Sequence, residues 1–242
     1  FFFFLFAFDE MGIMQALDNI TAVRAISDRL ESQKVSFNKN KIFVFGNSHG
    51  AYLSYLCNGL APGLFSLLID SSAYLNPEFL NRSFHFSIDG VDVAMGWPKL
   101  LTQINRDSEI CNIESFYSSI TNTAHIVAFH GVDDKFLPSS HKKQFCGSVP
   151  HCIFNEITED KVDGKIFKST EHGAAHYTRL FTHALEDFSL SFDGHQGELR
   201  PFKHQTKLYD YHIDYSNAVP DFQATSLTDQ KLYHLSRIKI GT

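Results

Sequence analysis

The chain has 242 residues, 43% hydrophobic and 20% charged, enough for a sizeable core in one α/β domain with a small appendage. Its formal charge of -6 and pI near 6.1 argue against a nucleic-acid partner, and no basic run interleaved with aromatics offsets that balance. Cys57, Cys111, Cys146 and Cys152 form no C-x-x-C pair and no zinc-type spacing with histidine, so all four read as buried small hydrophobes that leave the redox compartment open, leaning toward a reducing one.

Residues 1–8 are almost all phenylalanine, too short a run to span a bilayer and without the positive flank of a secretory signal. With no initiating methionine, the chain reads as a fragment of a longer protein. From there Ile13, Leu17, Ile20, Val23, Ile26 and Leu30 recur at helical spacing, with Asp9 as the N-cap. A polar turn, residues 36–40, leads into Lys41-Ile42-Phe43-Val44-Phe45, a short buried strand.

Gly46-Asn47-Ser48-His49-Gly50 follows, and Ala51 to Cys57 reads as the opening of a helix. A G-x-S-x-G pentapeptide between strand and helix fits a nucleophile elbow, a turn so tight that the serine is strained and both flanking positions need glycine. The pentapeptide alone is weak evidence; the strand before it and the helix after it give it weight.

Further strands are expected at residues 64–69, ending at Asp70, at 124–129, ending in His130-Gly131, and at 152–157. Near-continuous apolar strands alternating with helices imply a mostly parallel sheet covered on both faces. Functional groups in such sheets gather beyond the carboxyl ends of the strands. Asp133 and Asp134 follow the third strand there, and His172 follows the fourth, ahead of a helix through Tyr177, Leu180, Ala184 and Phe188. The order serine, acid, histidine differs from that of the two other common triads.

Residues 76–120 break the rhythm with Asn76-Pro77, Asp89-Gly90 and Trp97-Pro98, and hold Phe84, Phe86, Trp97, Phe116 and Tyr117. A cap over the nucleophile and a surface excursion with buried aromatics are both compatible with this segment. Residues 191–242 carry two candidate strands, one alternating Tyr209, Tyr211, Ile213 and Tyr215 with polar residues, the other over 231–240.

The stretch His130 to Pro138 resembles the H-G-x-x-D-x-x-[VL]-P acid loop of α/β hydrolases related to prolyl oligopeptidases and esterases, and this resemblance selects Asp134 over Asp133. Met11 to Asp18, Gly46 to Leu53, and Asp163 to Phe167 leading to His172-Gly173 are more similar still to an uncharacterised bacterial α/β-hydrolase-like family of unknown function, found in surface-glycan and flagellar loci of ε-proteobacteria. The resemblance implies the C-terminal half of an α/β-hydrolase fold and no assigned substrate. An α/β hydrolase carries further strands and a second oxyanion donor ahead of the first helix. The chain as written is therefore expected to be poorly folded or weakly active, and its parent competent.

The expected roles are Ser48 as nucleophile, His172 as base, Asp134 as orienting acid and the backbone N–H of His49 as oxyanion donor. Rival bases are His176, one helical turn from His172, and His49; rival acids are Asp70 and Asp133. His125 reads as a sheet residue and His130 as a loop-shaping one. Neither cofactor nor metal is expected. Two functions stay open: a serine hydrolase of a small-molecule, glycan-ester or peptide substrate in the cytoplasm, and a non-catalytic binding or assembly module that keeps the elbow as a turn.

Overall fold

Phe43–Asn47 (β1), Leu67–Ser71 (β2), His125–Gly131 (β5) and Cys152–Ile157 (β6) lie parallel in the order β1-β2-β5-β6 in the computed structural model of the protein. The structure describes residues 10–76, 84–88, 91–95, 107–193, 195 and 197–235. The expected phenylalanine run and the Asp9 cap lie outside them.

The two central strands, β2 and β5, are buried on both faces along almost their whole length, whereas the edge strands β1 and β6 are only part-buried. Leu68 and Ile126 point into one core while Leu67, Ile69, Val127 and Phe129 point into the other, following the two-residue period of a strand. The first core is closed by Gln15–Ser32 (α1) and His49–Leu60 (α2). The second is closed by Tyr177–Glu186 (α6), whose Leu180 and Ala184 are fully buried. α2 is buried almost all round, with Tyr52, Tyr55, Leu56 and Leu60 at most 1% exposed. Each such side chain contributes roughly 1.5–3 kcal/mol of burial.

α1 departs from expectation at its far end. Ala16, Leu17 and Ile20 are buried, but Ile26 is 60% exposed, so the apolar stripe meets the core over its first half only. The segment ahead of it, Glu10–Met14, is a π-helical turn that buries Ile13.

Between β2 and β5 the described residues form an antiparallel pair, Phe84–Ile88 (β3) with Val91–Met95 (β4), and two short helices, Ser108–Cys111 (α3) and Ile113–Ser119 (α4). Phe116 and Tyr117 turn inward, edge-on to each other and, for Tyr117, to Tyr55 and Phe145. These two aromatics belong to the core. Ser139–Ser148 (α5) links β5 to β6, and Cys146 and Cys152 are joined by a disulfide across that connection, their Cα atoms 5.2 Å apart. This corrects the reading of four buried thiols: the chain reverses so sharply between α5 and β6 that two cysteines six positions apart come face to face.

The C-terminal stretch forms a four-stranded antiparallel sheet in the order β10-β9-β8-β7, from Phe202–Gln205 (β7), Tyr209–Asp214 (β8), Asp221–Ser226 (β9) and Leu232–Leu235 (β10). Its inner face, with Tyr211, Ile213, Phe222 and Ala224, joins the core of α1 and α2. No helix among the described residues is long and apolar enough to cross a membrane.

Candidate active site

Ser48 sits between the end of β1 and the start of α2 with φ 53° and ψ -117°, a conformation that non-glycine residues rarely adopt. Three backbone hydrogen bonds hold it there: its N–H donates to Ser71 O at 2.9 Å, and its carbonyl accepts from the N–H groups of Ala51 and Tyr52, each at 3.1 Å. The two flanking glycines differ. A Cβ on Gly46 would lie 2.2 Å from the backbone of Gly50, so the close approach of strand and helix demands glycine there. A Cβ on Gly50 would meet nothing within 4 Å, which corrects the expectation that both positions are sterically required.

Asp134 lies in the turn that follows β5. Its Oδ1 accepts the N–H groups of Phe136 at 2.8 Å and Leu137 at 3.3 Å, which fixes the carboxyl plane. His130, fully buried at the end of β5, places Nε2 2.8 Å from Leu137 O and 3.3 Å from Asp134 Oδ2 and so shapes the same turn. Burial, then the charge of Lys142, push the His130 pKa below its ordinary value, so the ring is neutral and Nε2–H is the donor.

His172 occupies the loop between β6 and α6. That loop is pinned to the acid turn where Asp133 N–H donates to Thr170 O at 3.0 Å and Thr170 Oγ1 donates to Asp133 Oδ2 at 2.5 Å. A Cβ on Gly131 would stand 2.0 Å from Thr170 O, so glycine is what lets the two loops touch.

These three loops bring their side chains into one hydrogen-bonded line. His172 Nδ1 lies 2.7 Å from Asp134 Oδ2, and His172 Nε2 lies 2.8 Å from Ser48 Oγ. The carboxylate accepts only, so Nδ1 carries the proton and Nε2 is left to accept the serine hydroxyl. Burial alone would raise the Asp134 pKa, but the hydrogen bond from His172 and the Phe136 N–H help hold it below the usual carboxylate range. Phe136, 44% exposed, covers the imidazole with ring centroids 4.5 Å apart. A buried carboxylate, an imidazole and a strained serine hydroxyl in that order can activate the hydroxyl as a nucleophile.

The rivals are placed elsewhere. His49 opens α2 with its ring bonded to Tyr74 Oη through Nδ1 and 3.0 Å from Gln15 Oε1 through Nε2, so both ring nitrogens are taken up outside the line of Ser48, His172 and Asp134. His176 is the exposed N-cap residue of α6. His125 Nε2 contacts Ser191 O at 2.7 Å. Asp133 faces Thr170, and Asp70 is taken up by Lys142 and Tyr55. Gln15, Ser72, Tyr74 and Lys142 were not singled out from the sequence. Lys142 had a signal, since it stands three and four residues before Phe145 and Cys146 on one helix face.

Residues 6–92 match the model of a family described as a protein of unknown function (DUF2920), a span that includes two of the three segments on which the sequence resemblance rests. A comparison with curated proteins finds no match. Among solved structures the chain is similar to Est1E from Butyrivibrio proteoclasticus with ferulic acid bound, at 20% identity and a TM-score of 0.44 over 73% of this chain and 67% of that one. It is also similar to the native thermophilic esterase Est2 of Thermogutta terrifontis, at 16% identity and a TM-score of 0.45 over 77% and 66%. The chain spans about two thirds of the length of these proteins.

Proposed function

We propose that this chain is a serine hydrolase that cleaves a carboxylic ester, amide or peptide bond through an acyl-enzyme on Ser48. The continuous line from Asp134 Oδ2 through the His172 ring to Ser48 Oγ, with links of 2.7 and 2.8 Å, is the observation that carries this reading. As Ser48 Oγ attacks the substrate carbonyl carbon, His172 Nε2 takes its proton and Asp134 stabilises the imidazolium that forms. The carbonyl π bond opens to an oxyanion, for which the backbone N–H of His49, at the positive end of α2, is one donor. The oxyanion then re-forms its double bond and expels the leaving group, which collects the proton from His172. Water repeats the sequence and frees Ser48. An ester on a small molecule or a glycan places least demand on this site, because an alkoxide is a much less basic leaving group than an amine nitrogen and departs more readily with the proton from His172.

The test is covalent labelling with a fluorophosphonate probe. The wild type is expected to label on the peptide that holds Ser48, and Ser48→Ala not at all, with turnover falling by up to about 10⁶ on any ester it hydrolyses. Absence of labelling in the folded wild type would leave the non-catalytic binding module as the reading of this fold.

A further inference from the structure

Lys142 is the most unusual charged group outside the line just described. Its side chain is fully buried in α5, with Nζ 2.6 Å from Asp70 Oδ2, whose side chain is equally buried. Nζ also donates to Ala73 O at 2.9 Å and stands 4.9 Å from the centre of the Tyr55 ring. Asp70 accepts the Tyr55 hydroxyl at 2.9 Å and, through its other oxygen, the Ala73 N–H at 2.7 Å. Beyond their bond to each other, the pair thus holds the Tyr55 hydroxyl and both backbone groups of Ala73.

A buried ion pair is a poor device for stability alone, because apolar residues of the same volume commonly serve the fold as well or better. What the pair holds is more telling. It clamps both ends of Ala73 and so closes the turn that leaves β2 through Ser71 and Ser72. Ser72 is held there at φ 58°, a left-handed conformation unfavourable for a side-chain-bearing residue. From this one turn, Ser71 O accepts the N–H of Ser48 at 2.9 Å, and Ser71 Oγ donates to Asn47 Oδ1 at 3.0 Å. Ser72 Oγ accepts the N–H of Gly173 at 3.0 Å, next to His172.

We propose that Lys142 and Asp70 are positioning residues that set the distance between the nucleophile and its base by locking the Ser71–Ser72–Ala73 turn, to which both the elbow and the histidine loop are bonded. The inference rests on the serine-hydrolase reading of the site and adds to it. Neither side chain touches a reacting atom. Each holds a backbone group of Ala73, so removing the pair misplaces two loops relative to each other.

The experiment pairs Lys142→Met with Asp70→Asn in one chain, so that no lone charge is left buried, and follows fluorophosphonate labelling, kcat and KM for p-nitrophenyl acetate, and thermal melting. The double variant is expected to melt within a few degrees of the wild type, to keep KM within about twofold, and to lose roughly 10- to 100-fold in labelling rate and kcat, as for an ångström-scale misplacement. Wild-type labelling rates in the folded double variant overturn the proposal, as does a loss of kcat that only tracks a loss of folded protein. Ser72→Ala is a second variant should the first not fold. It removes only the acceptor for Gly173 N–H and should show the same fall in kcat at constant KM; wild-type rates there overturn the proposal too. A wild type that does not label sinks the hydrolase reading and this inference together, whereas a labelled wild type with an equally labelled variant sinks this inference alone.

Discussion

Gly46 and Gly50 flank Ser48 symmetrically in the sequence and quite differently in space. Gly46 lies where strand and helix backbones nearly touch, while Gly50 faces open room in the first turn of α2. A methyl group on Gly46 forces the elbow apart, and overpacking of that kind costs about 1–3 kcal/mol or more. The same change at Gly50 fills empty space and replaces a poor helix former with the best one, a difference of up to about 1 kcal/mol in its favour. Gly46→Ala is therefore expected to lower the urea midpoint and to label slowly with a fluorophosphonate. Gly50→Ala should match or exceed the wild-type midpoint and label normally. Equal effects of the two substitutions would contradict the asymmetry. The motif names both glycines because it records a consensus of many elbows, and only the local backbone says which one this elbow requires.

At the scale of elements, the central parallel strands β2 and β5 were legible because burial on both faces writes each as a nearly unbroken apolar run, and the edge strands β1 and β6 by shorter apolar runs, Phe43 to Phe45 and Cys152 to Phe154. Leu64 to Ile69 and Ala124 to Phe129 have no polar residue to confuse the pattern except Ser66 and His125 at their starts. The elbow and the two loops were legible because they follow such strands, and the structure brings Ser48 and Asp134 each within hydrogen-bond reach of His172. The C-terminal sheet was only half legible. In β8 the inward positions are Tyr209, Tyr211 and Ile213, which alternate plainly. In β9 they are Phe222, Ala224 and Ser226, where shrinking and then polar side chains erase the alternation although all three are buried. The Cys146–Cys152 link was hidden because spacing alone does not reveal a chain reversal. Closing a loop this short is worth about 2 kcal/mol in the chain-entropy account. Cys146→Ser with Cys152→Ser should lower the unfolding free energy by that amount in urea titrations and leave labelling of Ser48 intact. A wild type indifferent to reductant would show that the bond does not form in solution.

For the whole molecule, the question is whether the C-terminal sheet merely rests on the parallel sheet or folds with it. Phe222, 1% exposed in β9, shares a core with Cys57 of α2 and Leu17 of α1. The contact is also polar: Tyr215 Oη donates to Leu60 O at 2.9 Å, and Tyr211 Oη donates to Asp107 Oδ2 at 3.1 Å, ahead of α3. Groups so placed leave no plane along which the two sheets could part without exposing α2. Cys57 reports on this directly, since burial pushes its thiol up to about 12 and the native state holds almost no thiolate to react. Phe222→Ala should cost about 3–5 kcal/mol. If unfolding is one cooperative event, the whole of that loss appears at Cys57, on the other side of the shared core. Maleimide labelling of Cys57 would then accelerate by roughly 10²–10³-fold or more under conditions where opening limits access. A C-terminal sheet that unfolds by itself would instead lose its own signal while Cys57 stayed protected. In that case α1 and α2 would have to be stable with one flank of their core uncovered, and the tyrosine bonds to Leu60 and Asp107 would contribute nothing to the fold of the parallel sheet.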